Sequence, residues 1–511
     1  MYLKDEGKMW IATGKEPIYM IPKMANRHGL IAGATGTGKT VSIKVLAETF
    51  SDMGVPVFLA DIKGDVSGIC KAGEPNKHVD ERVQSMNIKD FSYSSYPVRF
   101  FDVFGQKGIP VRTTVSDMGP ILIARILDLN DTQEGVLQII FKIADDNGYL
   151  LIDLKDLQAM AQHIGEHAKE YTTTYGNISA QSVGAIQRNL LALETSGGKI
   201  FFGEPELDLH DWLVCNEEGR GYINVLDCVT LVQSPLLYST FLLWMLSTLY
   251  DMLPEAGDLE KPKMVFFFDE AHLLFNDAPK ALLQKVEQVA RLIRSKGVGI
   301  YFITQSPSDI PDNVLSQLGN KVQHALRAYT PKDQKAVKSA AASFRPNPDF
   351  NSETVLGELE TGEALISMLD EKGAPMIVER AYMLPPRSFL GVAEQETVNK
   401  IIQSCPLYTK YHDAIDRDSA YEKIHREDDA QQQAAEQQQA MQQQQAAQQQ
   451  QQQQAMRQQQ QYAQPRQSSS RGSKKSATSG VMNSVLKSAL GQVGREVSRD
   501  LVRGLLGNLK R

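Results

Sequence analysis

The sequence predicts an α/β fold built on a mostly parallel sheet, with a helical insertion and a C-terminal extension of different character. Three observations carry this. Five short apolar runs, 29–32, 55–60, 221–225, 263–268 and 299–304, are separated by stretches of helical periodicity. That is the pattern of βαβ units whose strands are buried on both faces. Polar motifs follow such runs directly, where open parallel sheets hold their ligands. From Asp428 the composition turns to a Gln-rich tract that cannot build an apolar core.

The first run leads into Gly33, Ala34, Thr35, Gly36, Thr37, Gly38, Lys39 and Thr40, with a helix-like run from Val41 to Phe50 after it. The string fits G-x-x-x-x-G-K-[ST], the phosphate-binding loop of nucleoside triphosphatases. Glycines let backbone N–H groups curl around an anion, and the following helix start adds its positive dipole end. Residues 33–41 are therefore expected to bind nucleotide. Lys39 is expected to reach the β- and γ-phosphates, and the Thr40 hydroxyl to hold Mg²⁺. A Gly-rich turn with a surface lysine is the plain alternative. The second run ends in Asp61-Ile62-Lys63-Gly64-Asp65. This position is near the nucleotide or a subunit interface, unless the segment is an ordinary turn.

Residues 70–218 read as an inserted, mostly helical subdomain. A loop-rich part, 71–115, precedes helical periodicity over 121–144, 154–167 and 182–194. The ATPase core is then 1–69 and 219–390, with a helical connector over 391–427. Within the core, Leu236 to Tyr250 form an apolar stretch of 15 residues between Pro235 and Asp251. A membrane span needs about 20, so a buried helix is expected and no transmembrane segment.

Met264-Val-Phe-Phe-Phe-Asp269-Glu270 is an apolar strand ending in two acids. Beside a phosphate loop, Asp269 is placed to bind Mg²⁺ as a Walker B aspartate does, and Glu270 to orient or deprotonate the attacking water. An acidic pair capping a helix is the alternative. Gln305, after the run 299–304, is a candidate γ-phosphate sensor or water-holding residue. Between these strands lie Arg291 and Arg294. Neither belongs easily to the site of Lys39, so Arg294 first and Arg291 second are candidates for an arginine finger serving a neighbouring subunit. Such an element is worth about 10³–10⁵ in rate. Arg327 is a further candidate, with an edge-strand role as its competitor.

The chain of 511 residues carries a net charge of −7, unevenly placed. Residues 462–511 hold ten Lys/Arg against Glu496 and Asp500, so the remainder is more acidic than the total. A nucleic-acid role therefore needs a local basic pore or the tail for phosphate contacts. Cys70, Cys215, Cys228 and Cys405 form no C-x-x-C pair, and the first ten residues contain no apolar signal core. Both suit a reducing, cytoplasmic setting without a zinc site. The Gln-rich tract is expected to be disordered or a solvated helix prone to self-association, and a Ser/Arg/Lys linker completes 428–480. Over 481–511, Val481, Val485, Ala489, Val493, Val497, Leu501, Leu505 and Leu509 recur every four residues, with Lys487, Arg495, Arg499 and Arg503 outside the stripe. This reads as a basic amphipathic helix that docks on protein or meets a membrane surface or nucleic acid.

Asp269-Glu270-Ala271-His272 spells the helicase box DEAH, but it lies about 230 residues after the phosphate loop. The helicases of that name carry it much closer to the loop, and no arginine-rich second motif appears here before the Gln tract. The motifs instead resemble those of the HerA/FtsK superfamily of ring-forming motor ATPases. They are most similar to the bacterial HerA-like helicase C-terminal-domain proteins. GATGTGKT at 33–40, DIKGD at 61–65, FFFDEAHLLF at 266–275, RLIRSKGVG at 291–299, TQSPSDIP at 304–311 and LGNKVQHALRAYTPKDQKAVK at 318–338 carry the likeness. It extends over about residues 10–390. The resemblance implies a RecA-like core, a hexamer and ATP hydrolysed between subunits with Mg²⁺. It also implies phosphate and Mg²⁺ roles for Lys39 and Thr40, a Walker B metal role for Asp269, a catalytic base at Glu270, a sensor-like residue at Gln305 and a trans finger at Arg294. HerA itself has a β-barrel before its ATPase core that helps it dock a nuclease. Fewer than 35 residues precede Gly33 here, so a nuclease partner is not expected. The leading expectation is a motor acting on double-stranded DNA. The alternative is an ATP-dependent assembly or regulatory ATPase acting on protein partners.

Overall fold

Parallel strands need crossovers, and the order of apolar runs and helices in this chain builds them around one sheet. The computed structural model describes residues 1–275 and 278–462. The Ser/Arg/Lys linker expected over 467–479 and the amphipathic helix expected over 481–511 lie outside the described residues. The strands are β1 Tyr2–Leu3, β2 Lys8–Thr13, β3 Pro17–Met20, β4 Gly29–Ala32, β5 Val57–Asp61, β6 Val98–Asp102, β7 Ile109–Pro110, β8 Ile223–Asp227, β9 Met264–Phe268, β10 Val298–Thr304, β11 Asn320–His324, β12 Glu363–Ser367 and β13 Glu379–Met383. Among the described residues these thirteen form a single sheet in the order β1-β2-β13-β12-β11-β4-β10-β9-β5-β8-β6-β7, with β3 added on β2. From β11 to β7 every pairing is parallel. From β12 to β1 every pairing is antiparallel.

The fold is thus α/β with a mostly parallel sheet, as expected. The five anticipated strands are β4, β5, β8, β9 and β10, with ends shifted by one or two residues. Their burial explains why they read as unbroken apolar runs: β4, β5, β9 and β10 are buried throughout. Aromatic side chains knit them across the sheet. Phe58 meets Phe266 at 5.1 Å and Trp212 at 4.8 Å between ring centroids, and Phe268 stacks on Phe302 at 5.9 Å. Each such side chain contributes about 1.5–3 kcal/mol on burial. On the other face of β9 and β10, helix α1, Lys39–Asp52, seats Phe50 against Phe267 and Tyr301.

Within 70–218, β6 extends the sheet beside β8 in a stretch whose sequence reads as loop. Its run Val98-Arg-Phe-Phe-Asp102 is only five residues long, too short for periodicity to separate from an apolar loop. The periodicity over 121–144 divides between two helices, Val115–Ile126 and Asp131–Asn147. Asn130 and Gln133 form a reciprocal capping box at the break, which starts a new helix at a fixed place. The apolar stretch of 236–250 lies in helix Pro235–Met252, buried along most of its length. Among the described residues no helix is long and apolar enough to cross a membrane.

The sheet lies in the first of two compact units, Met1–Ala430, and a second begins at Gln431. Helix Ala420–Tyr462 carries the Gln-rich tract, exposed at every residue from 431 to 457. Gln and Ala are good helix formers, and the tract has no apolar stripe to bury.

Candidate active site

The carboxyl ends of β4, β10, β9 and β5 are neighbours, so whatever follows these strands is brought together. After β4 comes the loop 33–38, closed by α1. Gly33, Gly36 and Gly38 have φ of 153°, 77° and 114°, conformations that side chains disfavour. Space makes the same demand: a Cβ on Gly33 would lie 2.6 Å from the His324 Cβ, and one on Gly38 would lie 3.0 Å from the Gly362 backbone. The loop is pinned from both sides. Gly33 donates to the Thr304 carbonyl and Ala34 to the Ala325 carbonyl, while the Thr37 carbonyl accepts from Gly362 N–H. Thr35 and Gly36 at its crest are exposed.

Lys39 donates to the carbonyls of Gly33 at 2.6 Å and Ala34 at 3.1 Å. Burial, reinforced by the neighbouring Lys63 charge, lowers its pKa from the ordinary lysine range. The Thr40 hydroxyl donates to Asp65 Oδ2 at 3.0 Å. Asp65 is held in place by the turn after β5, where the Asp61 carboxylate accepts the backbone N–H groups of Gly64, Asp65 and Val66. Burial raises the Asp61 pKa to about 6 against the pull of those donors.

Asp269 and Glu270 follow β9, both with little exposure. Burial raises Asp269 to about 6, although the Lys63 ammonium opposes it. Glu270 goes the other way. Burial alone would raise it, but an ion pair with Lys63 outweighs this and holds it below the usual range. His272 Nδ1 lies 3.1 Å and Gln305 Nε2 3.5 Å from Glu270 Oε2. Glu270 also has left-handed backbone angles, φ 44° and ψ 49°. A non-glycine residue there costs of order 1–3 kcal/mol, and such strain collects at functional sites.

Lys39, Thr40, Asp269, Glu270 and Gln305 therefore share one end of the sheet. Arg294 and Arg291 do not. Arg291 ends helix Lys280–Leu292, and Arg294 lies in the turn before β10, at that strand's amino end. There the Arg294 carbonyl accepts from Asn26, and burial with Arg27 nearby lowers its guanidinium pKa. Arg327 borders an open cleft with Ala34, His272 and Gln305 and donates to the Gly357 carbonyl.

Two participants were not identified from sequence. Lys63 was inside a recognised motif, but its pairing with Glu270 depends on β5 lying beside β9. His324, at the end of β11, lies beneath the loop with no exposure. Its Nε2 is 2.8 Å from the Ser42 hydroxyl and its Nδ1 is 2.9 Å from the Glu363 carbonyl. The carbonyl can only accept, so Nδ1 carries the proton and Ser42 donates to Nε2. The signal available was the adjacency of His324 to Arg327 in a recognised string, without any spacing rule to single it out.

A nucleoside triphosphate with Mg²⁺ fits these groups. The glycine cradle admits no side chain where phosphates would approach, and Thr40, Asp65 and Asp269 offer the hard oxygen donors Mg²⁺ prefers. Among the described residues no group of three or more His, Cys, Asp or Glu forms a ready-made metal cage.

The family model "Helicase HerA-like C-terminal" matches residues 7–511. The chain is similar to the DNA double-strand break repair helicase HerA of Saccharolobus solfataricus, with 23% identity over 347 residues, 66% of this chain and 61% of that protein. The protein of that name from Sulfurisphaera tokodaii is 22% identical over 358 residues, 66% of this chain and 62% of its own length. The chain thus spans about three fifths of these relatives. Among solved structures, it is similar to the bacterial conjugative coupling protein TrwBdeltaN70 (TM-score 0.49, 13% identity, 75% of this chain and 92% of that one). It is likewise similar to VirB4 of Thermoanaerobacter pseudethanolicus (TM-score 0.48, 14% identity, 75% and 98%).

Proposed function

The chain belongs to the HerA-like helicase C-terminal family, and on that premise we propose that it is an ATP-hydrolysing motor of the HerA/FtsK type acting on double-stranded DNA. One observation carries the hydrolytic part. The glycine cradle with Lys39 and Thr40 faces the same sheet end as an ionised carboxylate, Glu270, set on a strained backbone and touched by Lys63, His272 and Gln305.

In this reading the amides of 33–40 and Lys39 bind and orient the phosphates, as fixed donors that need no reorganisation. Thr40 and Asp269 hold Mg²⁺, with Asp65 behind Thr40. When bound, Mg²⁺ neutralises charge on the β- and γ-phosphate oxygens. Glu270 orients the attacking water and takes its proton. Its pairing with Lys63 keeps it ionised and able to accept. Gln305 links the same carboxylate to the end of β10, so a change at the phosphate is passed to the strand between β4 and β9. Arg294, at the opposite end of β10, is out of reach of its own site and fits a finger offered to a neighbouring copy in a ring.

The DNA part rests on family membership and on what the named relatives are said to act on. The acidic charge of the chain outside 462–511 favours a second reading, an ATP-driven assembly or regulatory protein with protein partners. Hydrolysis measured with and without duplex DNA separates the two. A DNA-stimulated rate that disappears in Lys39→Ala and Glu270→Gln supports the motor. Duplex DNA that neither binds nor stimulates refutes it, and stimulation by a co-purifying protein alone supports the second reading.

A further inference from the structure

At the carboxyl ends of β5 and β9 one ammonium faces two carboxylates. Ala60 pairs with Phe268 where these strands lie side by side, so the turn after β5 meets Asp269 and Glu270. Lys63, in that turn, forms an ion pair with Glu270 Oε1 and lies 3.9 Å from Asp269 Oδ2. We propose that Lys63 competes with the divalent cation: its ammonium screens Asp269 and Glu270 from free Mg²⁺, so that the metal reaches Asp269 only together with the phosphates. The proposal rests on the ATP-binding reading above and gives Lys63 a part in admitting the metal.

Three observations carry it. The backbone of the turn is fixed: the Asp61 carboxylate accepts the N–H groups of Gly64, Asp65 and Val66, and Gly64 turns the chain at φ 74°. Lys63 therefore leaves the turn at a set point, while its four-carbon stem keeps its rotatable bonds. Exposure decides which partner can give way. The Lys63 side chain is 37% exposed, against 8% for Asp269 and 7% for Glu270. The acids are enclosed by the protein, and the ammonium reaches onto them from solvent. The longer contact, to Asp269, is the one to yield, and Glu270 keeps its pairing. Finally, among the described residues no other lysine or arginine forms an ion pair with either acid. Lys63 is thus their principal counter-charge.

A free divalent ion approaching Asp269 meets this charge at close range, in a partly dry site where like charges repel more strongly than in water. The phosphates of a nucleotide lift the obstacle, because they bring negative charge of their own. Mg²⁺ gives up its waters reluctantly and is ordinarily held through one or two carboxylates together with substrate phosphates. An acidic pair such as Asp269 and Glu270 has some affinity for a bare cation, and Lys63 suppresses it. Metal and phosphates then strengthen each other's binding, by the same factor in both directions.

Binding of Mn²⁺ alone to the full chain, followed by the electron paramagnetic resonance of the free ion, reads the competition without turnover. Lys63→Met is expected to bind Mn²⁺ about tenfold more tightly than wild type. Lys63→Arg, which keeps the charge, is expected to stay close to wild type. Adding Asp269→Asn to Lys63→Met should abolish the gain. Equal affinities in wild type and Lys63→Met, a gain of the same size in Lys63→Arg, or a gain that survives Asp269→Asn overturns the proposal. The wild type alone supplies a measurement that is independent of any variant's folding. Mg²⁺ should raise its melting temperature when ADP is present and leave it unchanged without ADP, and an equal rise without ADP overturns the screening role. Failure of Lys39→Ala to weaken ATP binding would instead refute the phosphate site, and leaves the Mn²⁺ comparison standing.

Discussion

The substitution His324→Asn should flatten the acid limb of the stability curve. The imidazole is fully buried under the phosphate loop, and burial, with a smaller contribution from the Lys39 charge, lowers its pKa from 6.5 to about 4. Because the folded value is depressed, the neutral ring's contribution is fully present above the unfolded pKa of about 6.5 and is lost as pH falls towards 4. Two and a half units amount to about 3 kcal/mol in total, at about 1.4 kcal/mol per unit. Between pH 7 and pH 5 the loss comes to about 2 kcal/mol. The introduced asparagine cannot titrate, and its amide can still donate to the Glu363 carbonyl. It leaves the Ser42 hydroxyl without its acceptor, at a cost of about 1–3 kcal/mol. The variant should therefore be less stable at pH 7 and lose about 2 kcal/mol less than wild type on going to pH 5. Urea unfolding of both proteins across that range reads this directly. Other groups cancel in the difference, so parallel stability curves would refute a neutral buried His324.

Lys44→Met removes the ammonium that satisfies three carbonyls of the 389–391 segment and should cost about 3 kcal/mol. An unchanged melting temperature would count against the anchoring role. Gly68→Ala places a Cβ 2.0 Å from the Gly391 carbonyl oxygen and 2.6 Å from that of Phe389. It should lower the melting temperature, and an unchanged one would count against the close packing of this segment on Gly68. Phe58→Ala, at the contact with Trp212 and Phe266, should lose about 3–5 kcal/mol, seen as a lower unfolding midpoint. If active sites are shared between copies, Arg294→Ala should lower hydrolysis by roughly 10³-fold or more. Mixing it with Glu270→Gln should then restore part of the rate, because some interfaces regain both groups. A mixture no faster than its components would remove Arg294 from the site.

What could be read in the sequence was what lies close along the chain. The apolar runs of β4, β5, β8, β9 and β10 reveal themselves because both faces are buried, and the phosphate loop because its glycines, lysine and threonine are contiguous. Asp269, Glu270 and Gln305 could be placed together because strand ends in a parallel sheet point to one edge. The antiparallel half was not found. Its strands β12 and β13 are half-ordinary segments whose places depend on pairing with β11 and β2, and pairing leaves no local mark. The contacts of Lys63 with Glu270 and of His324 with Ser42 join residues more than 200 positions apart. The break at Asn130 was missed for a different reason. Periodicity continued through it, and the capping pair was a weaker signal than the apolar spacing around it.

The loop at 33–38 is closed by Thr304, Ala325 and Gly362, all far downstream. A growing chain therefore presents its glycine-rich motif long before anything exists to shape it. At translation rates of about 5–20 residues per second, the roughly 330 residues from Gly33 to Gly362 take on the order of 20–60 s to emerge. During that interval the segment has the composition of a nucleotide site without its form. On the proposed ATP-binding reading, nucleotide could stabilise the fold only near the end of synthesis, on the last steps of maturation and not on the first.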